Sequence, residues 1–182
     1  MISNGLIVLD RDGVINEDYG YVHTIDKFNF LEGIFEFCRI ASSRGCLIVV
    51  ATNQAGIARG LYSEHDFETL NKWMLEKFLE QGIEISNVFH CPHHPDFPTR
   101  EQIVCDCRKP LPGMLLGALS QTGISKDNAV MIGNSESDIS AGRAAGFSHC
   151  VKIGEVSKNS HFNFTSVKEL SAWAKSDWFW AT

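Results

Sequence analysis

The chain alternates short apolar runs with longer stretches in which apolar residues recur every three or four positions. Leu6-Ile7-Val8-Leu9, Cys46-Leu47-Ile48-Val49-Val50-Ala51, Ala129-Val130-Met131-Ile132 and His149-Cys150-Val151-Lys152-Ile153 are strand-sized. Runs of this length predict strands covered on both faces, and a shorter strand is predicted over 87–90. Ile34, Phe37, Cys38 and Ala41 fall at helical spacing within 33–43, with Gly45 as the C′ residue. Ser63-Glu64-His65-Asp66 reads as a capping box with Asp in the fourth place. It opens a helix that puts Phe67, Leu70, Met74 and Phe78 on one face and stops at Gly82. Further helices are predicted over 112–121, with a proline at the start, over 139–145, ended by Gly146, and over 167–174. Trp173, Trp178 and Trp180 read as packing groups. Two stretches lack a period: the polar-aromatic connection 16–31, and the segment 91–107 with Pro92, Pro95 and Pro98. Long connections of this kind are often functional. Five rounds of strand and helix predict an α/β fold with a central parallel sheet and helices on both faces.

At 182 residues the chain suits one domain with a full core, spanning 1–182. A net charge of −6 argues against a generic nucleic-acid or anionic-membrane binder, though not against a phosphorylated small molecule. No basic-then-apolar leader opens the sequence, and no apolar run approaches a membrane span. Cytoplasmic location and a monomer are the expectations. Three of the six cysteines cluster with a histidine, as Cys91-Pro92-His93 and Cys105-Asp106-Cys107. That grouping suits a metal site in a reducing compartment better than a disulfide framework.

The first strand runs into Asp10-Arg11-Asp12-Gly13, which places two carboxylates at its carboxyl end, where open α/β sheets bind ligands. An aspartate there can attack phosphorus, and a second carboxylate can move the proton of the leaving oxygen. Asp-x-Asp-Gly alone fits an ordinary acidic turn equally well. Polar motifs follow other strands too. Thr52-Asn53-Gln54-Ala55 offers a hydroxyl and backbone N–H groups for a phosphoryl oxygen. Arg108-Lys109 places two cations beside the cysteine loop, suited to the charge of a transferring phosphoryl group. Asn134 to Asp138 offers hard oxygens for magnesium. Cys91, His93, Cys105 and Cys107 fill a tetrahedral zinc shell with no open position, the mark of a structural site, with a zinc-binding loop at about 91–107. His90 and His94 compete with His93 for the imidazole position.

In this order the motifs resemble those of the haloacid-dehalogenase-like phosphatases. Leu9-Asp10-Arg11-Asp12-Gly13, Thr52 through Gly60, Cys91-Pro92-His93-His94-Pro95 and Cys105 through Pro110 are similar to the branch that holds the heptose-bisphosphate and histidinol-phosphate phosphatases. The resemblance covers about Leu6 to Ile153. The twelve positions from His93 to Cys105 favour the heptose side. It implies a Rossmann-like three-layer fold without a large cap domain, and a magnesium-dependent phosphatase. Its expected reaction removes the 7-phosphate of a heptose 1,7-bisphosphate through an aspartyl phosphate, on the way to nucleotide-activated heptose for surface glycans. Histidinol-phosphate phosphatase and a non-catalytic phosphosugar-binding protein are the alternatives.

The same resemblance implies Asp10 as nucleophile, Asp12 as acid and base, and Thr52 and Lys109 at the phosphoryl group. Substrate contacts are expected from Asp18, Tyr19, Gly20, Tyr21, Thr52, Asn53, Gln54, Ala55, Arg108 and Lys109. It places the zinc imidazole at His93. Magnesium is expected at Asp10, Asp12 and the fourth motif. That motif departs from the family's Gly-Asp: it reads Gly133-Asn134-Ser135-Glu136-Ser137-Asp138, so Asn134 takes the metal position and Ser135 a substrate-contacting one. Asp138, or Glu136, is the carboxylate available to support the metal in place of the missing charge.

Overall fold

The computed structural model describes residues 5–97 and 105–180. Six parallel strands form one sheet in the order β3-β2-β1-β4-β5-β6. They are β1 Gly5–Leu9, β2 Cys46–Asn53, β3 Asn87–Cys91, β4 Ala129–Gly133, β5 His149–Ile153 and β6 Phe162–Phe164. Leu9 lies beside Val50 on one side and Ile132 on the other. Three strands wind outward one way and three the other, so the winding reverses between β1 and β4. Such a switch point leaves a crevice beyond the carboxyl ends of the strands.

Alternate side chains of β1 feed two cores. Ile7 and Leu9 join residues of α1 (Ile34–Ser43), α3 (Glu64–Glu80) and α6 (Val167–Ser176). Leu6 and Val8 join α4 (Gly113–Thr122) and α5 (Glu136–Ala144) on the other face. The result is the expected three-layer α/β fold. Each such aliphatic side chain contributes roughly 1.5–3 kcal/mol on burial. β1 is therefore pinned in register from both sides, and the carboxylates that follow it are pinned with it.

The helix signals hold at α3. The Asp66 N–H donates to the Ser63 hydroxyl at 3.2 Å, and the Asp66 carboxylate accepts the Ser63 N–H at 2.8 Å. Phe67, Leu70, Met74 and Phe78 form its buried face. Trp173, Trp178 and Trp180 pack against the core as expected.

The structure differs from the sequence expectation at several ends. β2 continues through Thr52 and Asn53, which pair with His90 and Cys91, so Thr52 is strand rather than loop. A second capping box, between Ser135 and Asp138, starts α5 at Glu136. Asp138 is thus in the first helical turn rather than in a polar turn. α4 begins after Pro112, which is its N-cap. The four-residue α2 (Ala55–Ala58) and the three-residue β6 are too short to show a period. The part of the cysteine loop at 98–104 lies outside the described residues.

Ser63→Ala removes one half of the α3 capping box. It should lower unfolding free energy by about 1 kcal/mol in denaturant titration, with an unchanged m-value.

Candidate active site

A cavity of about 440 Å³ opens beyond the carboxyl ends of β1, β2 and β4. Asp10 and Asp12 enter it from β1, and Thr52, Asn53, Gln54 and Ala55 from the end of β2. Asn134, Ser135 and Asp138 come from the turn into α5, Lys109 from the loop before α4, and Asp18, Gly20 and Tyr21 from the connection after β1. Chain segments far apart in sequence therefore meet at one point.

Lys109 joins them. Its ammonium is 2.8 Å from Asp10 Oδ1 and 2.6 Å from Asp138 Oδ1, and it donates to the Ala51 carbonyl at 2.6 Å. The residue is 2% exposed. Burial works against its charge, yet the two carboxylates hold its pKa above the ordinary lysine value. Asn53 fixes the lysine backbone: its Nδ2 donates to the Lys109 carbonyl and its Oδ1 accepts the Lys109 N–H, both at 3.0 Å. Burial, reinforced by the charge of Asp138, pushes the Asp10 carboxyl up to about 7 against the pull of Lys109. A cation bound here favours the ionised form that a nucleophile needs.

Asp12 is anchored on both oxygens. Oδ1 accepts from Arg11 and from Asn16 Nδ2, and Oδ2 accepts from Arg11 Nη2 at 2.9 Å and from Gln54 Nε2 at 3.3 Å. Arg11 and Asn16 are supports that the sequence reading missed. The Arg11 guanidinium is buried, donates to the Val22 carbonyl at 2.6 Å, and lies about 6 Å from the ring centres of Phe28 and Phe67. An arginine between two aspartates after a buried strand was the available signal. Tyr62 was missed as well. It donates to Gln54 Oε1 at 2.5 Å, and Gln54 also donates to Thr52 Oγ1 at 2.8 Å.

The oxygens of Asp10, Asp12 and Asn134 are the hard donors magnesium takes. Gly13 makes room for the Asn134 side chain: at φ +85°, a Cβ there would lie 1.9 Å from Asn134 Nδ2. The two carboxylates expected to support the metal have other partners in this structure. Asp138 is committed to Lys109 and to Ser135, whose N–H and hydroxyl donate to Oδ2 at 2.9 and 2.6 Å. Glu136 is exposed and accepts from Asn159 Nδ2 at 3.5 Å.

Cys91 Sγ, His93 Nδ1, Cys105 Sγ and Cys107 Sγ all lie within 4.8 Å of one another. His90 is instead paired with Glu64, and His94 faces Arg59 at 3.2 Å. Burial, helped by the neighbouring thiols, raises the Cys91 pKa, and burial raises that of Cys107. Three adjacent thiolates need a cation to be stable together, and zinc fits this donor set. Cys91 ends β3, so the loop carrying Lys109 is tied to the sheet.

Two expected contacts fall outside the cavity lining. Tyr19 is 60% exposed and bonded to Glu17. Arg108 donates to the His93 carbonyl at 3.1 Å, within the cysteine loop.

A parallel sheet with this winding, an Asp-x-Asp pair at the end of β1 and a buried lysine against it define a HAD-like phosphohydrolase. The HAD-hydrolase-like family model matches residues 106–161. A D-glycero-beta-D-manno-heptose-1,7-bisphosphate 7-phosphatase from Yersinia pestis is 44% identical over 140 residues, 76% of this chain and 74% of the relative. The alpha-specific counterpart from Campylobacter jejuni is 42% identical over 166 residues, 90% of this chain and 92% of the relative. The D,D-heptose 1,7-bisphosphate phosphatase of B. bronchiseptica, solved with magnesium and phosphate, superposes with a TM-score of 0.79 at 26% identity, over 92% of this chain and 96% of that one. The chain belongs to the D-glycero-D-manno-heptose-1,7-bisphosphate 7-phosphatase family of HAD-like hydrolases.

Two outcomes follow from the geometry. The folded pKa of Asp10, about 7, lies above its ordinary 3.8. As pH rises the unfolded chain loses this proton first, so metal-free protein loses stability between about pH 4 and pH 7. Asp10→Asn should therefore have a higher Tm than the original in magnesium-free buffer at pH 8, and a similar Tm near pH 4. Metal analysis of reduced protein purified without chelator should find about one zinc per chain. Cys107→Ser should lower zinc content and Tm together.

Proposed function

We propose that the chain is a magnesium-dependent phosphoric monoester hydrolase that removes the 7-phosphate of D-glycero-D-manno-heptose 1,7-bisphosphate. It would serve the synthesis of nucleotide-activated heptose for surface glycans. The observation that carries this reading is the buried contact of Lys109 with Asp10 at the switch point of the sheet. The names of relatives matched over three quarters or more of this chain supply the substrate. Residues 1–182 are taken as a single catalytic unit, because all six strands share one sheet.

Oxygens of Asp10, Asp12 and Asn134 would hold magnesium, which would supply positive charge between nucleophile and phosphate. An Asp10 oxygen attacks phosphorus, the bond to the sugar oxygen breaks, and Asp12 passes its proton to that oxygen. Water then attacks the aspartyl phosphate and gives a proton to Asp12, and phosphate leaves with Asp10 restored. Lys109 faces the charge on the phosphoryl oxygens, and the Thr52 hydroxyl and nearby backbone N–H groups orient them. Asp12 has to release one of its present bonds to reach the leaving oxygen. The 3.3 Å bond from Gln54, a cavity residue, is the one it exchanges. Asp18, Gly20 and Tyr21 form the wall nearest the sugar in this reading.

One observation favours a second reading. Asn134 leaves the metal position a charge short, as in a phosphosugar-binding protein without turnover. Phosphate release from both heptose 1,7-bisphosphate anomers, histidinol phosphate and simple sugar phosphates, with and without magnesium, tests both. The proposed enzyme should prefer one heptose bisphosphate anomer by at least tenfold in kcat/KM, and Asp10→Asn should abolish turnover. Tight substrate binding without phosphate release would establish the binder, and preference for histidinol phosphate would move the chain to the neighbouring branch.

A further inference from the structure

Lys152 stands inside β5, between the buried Val151 and Ile153, and is itself only 5% exposed. Its ammonium donates to the backbone carbonyl of Asn134 at 2.7 Å and to that of Ile153 at 3.3 Å. Among the described residues it makes no ion pair with a carboxylate. Carbonyl dipoles satisfy its hydrogen bonds but do not cancel its charge, and a buried charge left so is costly. It lines a hollow of about 640 Å³ that shares Asn134 and Asp18 with the reaction cavity. Asp18, Glu17, Glu32 and Glu155 line the same hollow; Glu32 pairs with Lys168, and none of the four forms an ion pair with Lys152.

The partner of this lysine is the residue that occupies the metal position. In the cluster, the carboxylates of Asp10, Asp12 and Asp138 face the cations Arg11 and Lys109. With Lys152 the count is three against three. A carboxylate at position 134 and a neutral side chain at 152 would make it four against two. Both features of this chain move the centre in the same direction, away from holding a free cation and toward accepting an anion.

We propose that Lys152 is a fixed counter-charge of the reaction centre. It weakens magnesium binding and strengthens phosphate binding, whether or not the other ligand is present. Lys152 acts through the Asn134 carbonyl and the field at the cavity, and is thus a positioning residue. The inference rests on reading Asn134 as the metal position. It gives the missing carboxylate a consequence: the neutral Asn134 and the cationic Lys152 both trade affinity for a free cation against affinity for an anion.

Calorimetric titration of the zinc-loaded, full-length chain decides it, with magnesium chloride alone, inorganic phosphate alone, and magnesium in saturating phosphate. Lys152→Met keeps the length of the side chain, and Lys152→Gln also keeps a donor for the Asn134 carbonyl. Each should bind magnesium alone about tenfold more tightly and phosphate alone about tenfold more weakly, a change of about 1.4 kcal/mol in each. Opposite shifts for ligands of opposite charge are something a packing defect does not produce. Asn134→Asp tests the premise that position 134 holds the metal, and should move both affinities in the same two directions. Affinities within twofold of the original in the folded variants, or parallel loss of both ligands, overturn the proposal. Absence of magnesium binding in every protein, with or without phosphate, overturns the metal reading along with it. The expected shifts in a chain that hydrolyses no heptose bisphosphate would leave Lys152 in its role and remove only the proposed substrate.

Discussion

Everything at the carboxyl edge of the sheet depends on one buried ammonium. Lys109 reaches Asp10 after β1, Ala51 in β2 and Asp138 in α5, so a single cation links three crossovers that share no sequence neighbourhood. The arrangement is costly to form, since each charge leaves water, and it is tolerable because each is answered at contact distance. A cluster of this kind cannot relax by letting one member face solvent. The loop that carries Lys109 therefore has to be placed accurately, and two devices do so: the amide of Asn53 clasps the lysine backbone, and the cysteine–histidine set ties the loop to the end of β3. The zinc-type cluster and the reaction cavity are thus parts of one mechanical problem.

The sheet was legible in the sequence because its central strands are covered on both faces, and such strands must be apolar throughout. Leu6 to Leu9 and Ala129 to Ile132 could scarcely be anything else. The capping box at Ser63 was legible because it is local. β6 was not legible: three residues, with Asn163 exposed between two phenylalanines, have no period to detect. The start of α5 was missed because Asn134 to Asp138 reads equally as a polar turn until the Asp138 carboxylate is seen to close on Ser135. The site divides similarly. Asp10, Asp12, Thr52 and Lys109 sit at strand ends that the pattern defines. Arg11, Asn16 and Tyr62 are set by long-range contacts to the Val22 carbonyl, Asp12 and Gln54, which no spacing rule encodes. Lys152 was hidden inside a strand signal, where one polar residue does not break an apolar run.

Arg11 ties Asp12, the proposed acid–base residue, to the hydrophobic interior. Its guanidinium lies near the rings of Phe28 and Phe67 while it holds Asp12. Phe28 and Phe67 are themselves core residues. The packing of α3 and of the connection after β1 is therefore felt directly at the reacting groups, with no intervening loop to absorb a shift.

Cys91 belongs to a strand, and Cys105 and Cys107 lie just before the lysine they help to place. A metal joining these points would carry the position of β3 directly to the loop before Lys109. The place of Lys109 is then set by ligand–metal bonds to the sheet, and not by the length of the covalent path that leads to it.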